Sequence, residues 1–179
     1  MQDKEEHAIV LDYLPYGYPL EQKRIPIAQA IGEKNLTLLQ LVPRRGISLA
    51  VNEKVYIGEG KRDKIYYILG RLPKEKLTET AKEKLQEFVK EKIMSNENMF
   101  VDFFNKAEAI NTRLHQIELL PGIGKKHMFA IIEERSKKLF DNLEDLKKRV
   151  SNLPDPRKAI EKRLIEEITE KQRYFLFIK

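Results

Sequence analysis

Apolar and polar positions follow two different periods along this chain, and the change falls near residue 73. Before it, apolar residues come in short alternating runs broken by Gly and Pro, a period of two that predicts strands. The first is His7-Ala8-Ile9-Val10-Leu11-Asp12-Tyr13-Leu14, stopped by Pro15-Tyr16-Gly17-Tyr18-Pro19. Ile25 to Ile31, ended by Gly32, and Asn35 to Val42, closed by Pro43, are the second and third. Ile47 to Val51 is a short candidate, and Lys54 to Ile57 and Lys64 to Leu72 complete the set. Five or six short strands in so few residues predict an OB-like or SH3-like barrel, whose closure would leave no sheet edge unpaired.

Beyond Leu72 the period becomes 3.6. Thr80-x-x-Glu83 matches a capping box, and Leu85, Phe88, Val89 and Ile93 fall on one helical stripe. Ser95-Asn96-Glu97-Asn98 interrupts it. Met99, Phe100, Phe103, Phe104, Ala107, Ile110 and Leu114 then predict a helix with a broad apolar face. Further helices are expected at roughly 125–139, 143–151 and 156–171. The tail, Tyr174-Phe175-Leu176-Phe177-Ile178-Lys179, is β-rich and predicts a strand returning to the N-terminal sheet. The fold class read from this pattern is α+β. Residues 1–73 form an OB-like barrel, 74–95 a connecting helix, 96–173 an all-helical domain and 174–179 a β tail.

Composition narrows the chemistry more than the fold. The 179 residues are 41% hydrophobic and 35% charged, enough apolar material for a packed core. Cysteine is absent, which removes disulfides, Cys-ligated zinc, iron–sulfur clusters and a thiol nucleophile. No apolar run reaches the roughly 20 residues that cross a bilayer, and the polar start Met1-Gln2-Asp3-Lys4-Glu5-Glu6 does not read as a signal peptide. A cytoplasmic protein without a membrane partner is expected. Abundant Lys and Glu with no Cys also fit a heat-adapted chain. The net charge is +6, with +2 in residues 1–73 and +4 in 74–179. So small an excess does not by itself argue for nucleic acid.

One stretch carries specific chemistry. In Leu119-Leu120-Pro121-Gly122-Ile123-Gly124-Lys125-Lys126, Pro121 ends the preceding element, because the residue before a proline avoids the helical region. Gly122 and Gly124 permit positive φ and close backbone approach. Ile123 is expected to point inward and pin the loop. A helix starting near Lys125 would present unpaired N–H groups and the positive end of its dipole, an arrangement that binds phosphate oxygens. Two lysines at a helix start oppose the dipole, and a bound anion would explain them. A plain connection between two helices would use the same glycines.

The segment from Leu114 to Lys125, with Ala130, Ile131 and Ile132 downstream, resembles a helix-hairpin-helix motif. Phe140-Asp141-Asn142-Leu143-Glu144-Asp145-Leu146 looks like the helix entry that often follows it. Over the whole chain, Val10-Leu11-Asp12-Tyr13-Leu14-Pro15 and Leu114-His115-Gln116 before LLPGIGKK are similar to an archaeal family of unknown function, number 655, whose members are described as RNA-binding. The resemblance implies an OB-like N-terminal domain and a helix-hairpin-helix C-terminal domain. It implies phosphate contacts from the amides of Gly122, Gly124 and Lys125 and the side chains of Lys125 and Lys126. It also implies that hairpin carbonyls can hold a monovalent cation; no other cofactor and no metal site is expected. Such motifs usually act in pairs that span a duplex. Asn152-Leu153-Pro154-Asp155-Pro156 stands where a second would fall but lacks Gly-x-Gly.

Weaker signals lie in the N-terminal part. Tyr16 and Tyr18 are candidate stacking residues, and Arg44-Arg45, with Lys61-Arg62, are candidate phosphate contacts. The same tyrosines could instead pack their turn, and the same cations could simply be solvated. His115 and His127 flank the hairpin without a ligand set for metal, so packing roles are expected. No Walker loop, dinucleotide fingerprint or Ser-His-Asp arrangement occurs, and no catalytic residue is assigned. The expected function is non-enzymatic nucleic-acid binding, RNA before DNA, within a ribonucleoprotein. A protein-binding adaptor, or less favoured a DNA repair factor, is the alternative.

Overall fold

The computed structural model describes residues 3–179. The chain falls into two compact units. One holds the described residues up to Glu87 together with Glu167–Lys179; the other is Phe88–Glu166.

The first unit is built on five antiparallel strands: β1 (His7–Leu14), β2 (Ile27–Gly32), β3 (Leu38–Pro43), β4 (Lys54–Tyr56) and β5 (Ile65–Arg71), in the order β4-β1-β2-β3-β5. The segment Ile47 to Val51 forms no strand. The sheet curls because its inner face alternates small and large partners: Ala30 faces Val10 on one side and Leu39 on the other, and Ala28 faces Leu41. These residues, with Ala8, Leu49, Val55, Ile57 and Ile65, form the core of the half-barrel. A bulge between Val10 and Asp12 bends β1, which pairs with β2 along its length and with β4 through His7, Ala8 and Ile9. The curl does not close. β4 has three residues, and both it and β5 are edges, where the pattern led us to expect a closed barrel. Register shifts in the β3–β5 pairing and Gly70 at φ +149° break the regularity of the long edge, a device that discourages pairing with another chain.

The opposite face of β2 and β3 is also buried, so every residue of both strands is inaccessible. Two glutamines lie within it. The fully buried Gln29 donates to the Lys76 carbonyl at 2.6 Å and accepts from the Thr78 N–H at 3.1 Å. Thr78 caps helix α1 (Glu79–Ser95): its hydroxyl accepts from the Ala81 N–H at 3.0 Å and donates to Asp12 at 2.6 Å. The expected capping box at Thr80 is thus displaced by two residues, because Asp12 and Gln29 select Thr78.

The tail does not form the expected strand. Its N–H groups at Leu176, Phe177 and Ile178 donate instead to the carboxylate of the buried Glu167, at 2.6, 3.0 and 3.1 Å. An ionised carboxylate offers several acceptor positions at one point, and a chain wrapped around it satisfies its backbone without a sheet partner. Glu170 pairs with Lys74, holding the end of the last helix to the segment after β5.

In the second unit α2 (Glu97–Lys106) buries Phe100, Val101 and Phe104. It does not continue to Leu114 as its spacing led us to expect. Glu108 and Gln116 exchange hydrogen bonds of 2.9 and 3.0 Å, and Asn111 accepts the Arg113 N–H at 2.8 Å. These local bonds favour a small hairpin of β6 (Ala109–Asn111) and β7 (Leu114–His115) over another helical turn. A 3₁₀ turn, Gln116–Leu119, then leads into the glycine loop, so a single tight turn stands where a first α-helix was expected. Helices α3 (Lys125–Lys137), α4 (Leu143–Arg149) and α5 (Pro156–Thr169) follow, around Phe100, Phe104, Ile117, Leu120, Ile131 and Leu146.

Candidate nucleic-acid interface

The glycine loop is held from below. Leu120 and Ile123 are buried, and Pro121 and Gly122 are the central residues of a turn closed by the Ile123 N–H on the Leu120 carbonyl at 3.1 Å. Gly122 has φ +83°, a conformation that costs an L-residue strain, with proline before it presetting the turn. Gly124 is different: its backbone is extended, it is the N-cap of α3, and it supplies no side-chain cap. A Cβ placed on Gly124 meets nothing within 4 Å. The first α-helical bond runs from Met128 to Gly124. Among the described residues the N–H groups of Lys125, Lys126 and His127 meet no protein acceptor, as the first turn of an uncapped helix requires.

The two lysines are not equivalent. Lys125 donates to Glu118 and to the Arg113 carbonyl, both at 2.9 Å. Glu118 also accepts the His115 N–H at 2.8 Å, and Lys125, then that N–H, hold its carboxyl below the usual carboxylate range. Lys125 therefore completes an internal pair and needs no anion to justify it. Lys126 is exposed and meets no acid among the described residues. No acidic residue lies in the first turn of α3.

His115 caps the 3₁₀ turn, its Nδ1 accepting the Ile117 N–H at 3.1 Å. Burial first, and the Arg135 guanidinium second, hold its pKa below the ordinary 6.5, against a smaller opposing pull from Glu118. The unfolded chain therefore binds a proton at His115 more readily than the folded one, and stability rises with pH across that window. We expect the denaturation midpoint to fall as pH drops below about 6.5, before carboxylate protonation contributes. His115→Asn, which keeps a capping oxygen, should flatten the slope between pH 7 and 5; an unchanged slope would refute the assignment.

The structure places a second turn beside the first. Asn152 has φ +59°, Leu153 is buried, and the Leu153 N–H reaches the Val150 carbonyl at 3.4 Å, repeating the pattern of Gly122, Ile123 and Leu120. A Cβ on Gly122 would lie 3.9 Å from Pro154. The missing Gly-x-Gly conceals this turn in the sequence; the signal is Asn152, a residue type that tolerates positive φ. Its helix end is already filled, since Asp155 accepts the Arg157 N–H at 3.0 Å and Pro156 begins α5.

In the sheet unit, Tyr16 follows β1 and is 78% exposed. Tyr18 is not free to stack: its hydroxyl donates to Gln40 at 2.8 Å, accepts from Gln29 at 3.3 Å, and Lys76 stands over its ring at 4.7 Å. Arg44 is tied through its Nε to the Arg62 carbonyl at 2.6 Å and through its N–H to the Lys64 carbonyl at 2.8 Å. The loops carrying Arg44, Arg45, Arg62 and Lys64 thus meet at one end of the sheet, the end to which Tyr16 also belongs. Lys64 pairs with Glu53. Sequence reading missed Lys64, because the β3–β5 pairing that brings it beside Arg44 is not local.

Among the described residues no group of three or more His, Asp or Glu side chains could hold a metal, and no helix is long and apolar enough to cross a membrane. The class is a mixed α/β protein with a curled antiparallel half-barrel sheet and five helices. The chain belongs to the family described as "protein of unknown function (DUF655)", which it matches over residues 4–179. It is 43% identical to the uncharacterized protein MJ0038 of Methanocaldococcus jannaschii, over 99% of this chain and 82% of that protein. Its structure is similar to the crystal structure of Af1531 from Archaeoglobus fulgidus, a member of the same family, with a TM-score of 0.80 and 46% identity over 97% of this chain and 99% of that one.

Proposed function

We propose that this protein is a non-catalytic binder of nucleic acid, RNA before DNA, that grips backbone phosphate with the glycine turn of a helix-hairpin-helix-like element. The observation that supports this best is the start of α3. A glycine without a side-chain cap leaves three N–H groups open, with Lys126 beside them and no acid in the turn. Such an end suits one or two phosphate oxygens and reads no base edge. The OB-like half-barrel offers a second contact, with Arg44 and Arg45 at one end of the sheet and Tyr16 exposed nearby.

Binding of this kind releases counterions. With two to four phosphates engaged, the slope of log K against log salt should lie between about −1.5 and −3.5. Fluorescence anisotropy with single-stranded RNA, structured RNA and duplex DNA at several salt concentrations measures it. Affinity independent of salt would overturn the reading. A partner retained from extract after nuclease treatment and high salt would point to the adaptor instead.

A further inference from the structure

We infer that the ligand of the hairpin is a single strand, and that Phe129 is the platform on which one of its bases stacks. This rests on the phosphate reading above and adds a different kind of contact to it. Phe129 lies on α3 and is 62% exposed. The core side of that helix is carried by Met128 and Ile131, so packing does not account for an aromatic at 129. A lone exposed aromatic is common on protein surfaces; its neighbours decide here. Lys126 and Lys125 stand three and four residues earlier, on the same face. Side chains on a helix lean toward its N-terminus, so the ring covers the turn that carries the lysines. One turn, about 5.4 Å of helix rise, separates the backbone of Phe129 from the open N–H groups. A nucleotide whose phosphate sits on those groups can reach the ring with its own base.

The neighbouring turn argues for one strand rather than two. Pro154 lies against Gly122, and the next residue, Asp155, puts a carboxylate on the start of α5. Although Arg157 and Lys158 follow, that carboxylate already fills the helix end, so a second phosphate backbone finds it occupied where the first meets open N–H groups. Bases in a duplex are also stacked on each other and offer no face to Phe129, whereas an unpaired base does.

The chain has no tryptophan, so Phe129→Trp adds a single fluorophore at the proposed platform. Its emission should be quenched by a single-stranded 12-mer of RNA or DNA and not by a blunt duplex of the same length. Phe129→Ala should weaken single-strand binding about tenfold, the scale of one stacked base, and leave duplex binding unchanged. Emission indifferent to a bound single strand, or wild-type affinity of Phe129→Ala, would overturn the inference. Gly124→Val separates the two readings: if it loses binding while Phe129→Ala binds as wild type and the Phe129→Trp emission ignores the strand, the phosphate grip stands and the stacking does not. If Gly124→Val binds as wild type, the phosphate grip falls and the stacking inference falls with it.

Discussion

Glu167→Ala should free the last six residues and destabilise the sheet unit by about 2–4 kcal/mol. Three backbone N–H groups converge on this carboxylate, which is only 4% exposed. Hydrogen bonds to a charged acceptor each contribute about 1.5–3 kcal/mol. Backbone entropy recovered by the freed residues offsets much of this, so the net loss is smaller than the bonds alone would give. Phe175 and Ile178 line a recess with Leu36, Leu38 and Leu72, and release of the tail would open it to water. Glu167→Gln should fall between the two, since its amide nitrogen would face backbone N–H groups as a second donor. Urea denaturation gives the energy. Trypsin cutting after Lys171 and Arg173, with hydrogen exchange at residues 176–178, gives the mechanism. Unaltered protection of those amides in Glu167→Ala would show that the tail is held by something else.

The tail also shows which parts of this molecule could be read from the chain. β1 to β5 were legible because alternation and Pro/Gly punctuation are local properties, and they pair antiparallel, with bulges that the pattern does not show. The tail has the same local β character, but its N–H groups are taken by a carboxylate near the end of a helix rather than by a sheet edge. The overlong second helix failed for a related reason. Ile110 and Leu114 keep helical spacing, but side-chain bonds from Gln116 and Asn111 to nearby backbone compete with it. At the candidate site, Gly122, Ile123 and the start of α3 were legible because a turn is written in adjacent residues. The partner of Lys125 was not, since Glu118 reaches it only once the 3₁₀ turn has formed. That pairing changes the argument. Of the two lysines that seemed to need an anion, one is explained within the protein, and the case for phosphate rests on Lys126 and the open N–H groups.

The two glycines of the turn should therefore respond differently to substitution, and that difference tests the phosphate grip. Gly122 has φ +83°, so Gly122→Val strains the backbone wherever its side chain goes, and it should destabilise the protein by about 1–2 kcal/mol. Weakened binding in that variant would not separate a lost contact from a distorted loop. Gly124 is extended, and its Cβ would enter open space. Gly124→Val should cost less than Gly122→Val, about 0.5–1 kcal/mol, because Val is a poorer N-cap than Gly, while its side chain stands in front of the N–H groups of α3. A phosphate oxygen must approach those groups to hydrogen-bond distance, about 2.9 Å, and a branched side chain at the N-cap prevents this. Affinity for single-stranded RNA should fall at least tenfold, with the salt slope reduced by the share of the phosphate lost there, about 0.7 for a single strand. Lys126→Ala should give a smaller loss with a similar change in slope, because it removes charge but leaves the N–H groups open. Gly124→Val with wild-type affinity and wild-type slope would place the phosphate contacts elsewhere, at the Arg44 end of the sheet if anywhere.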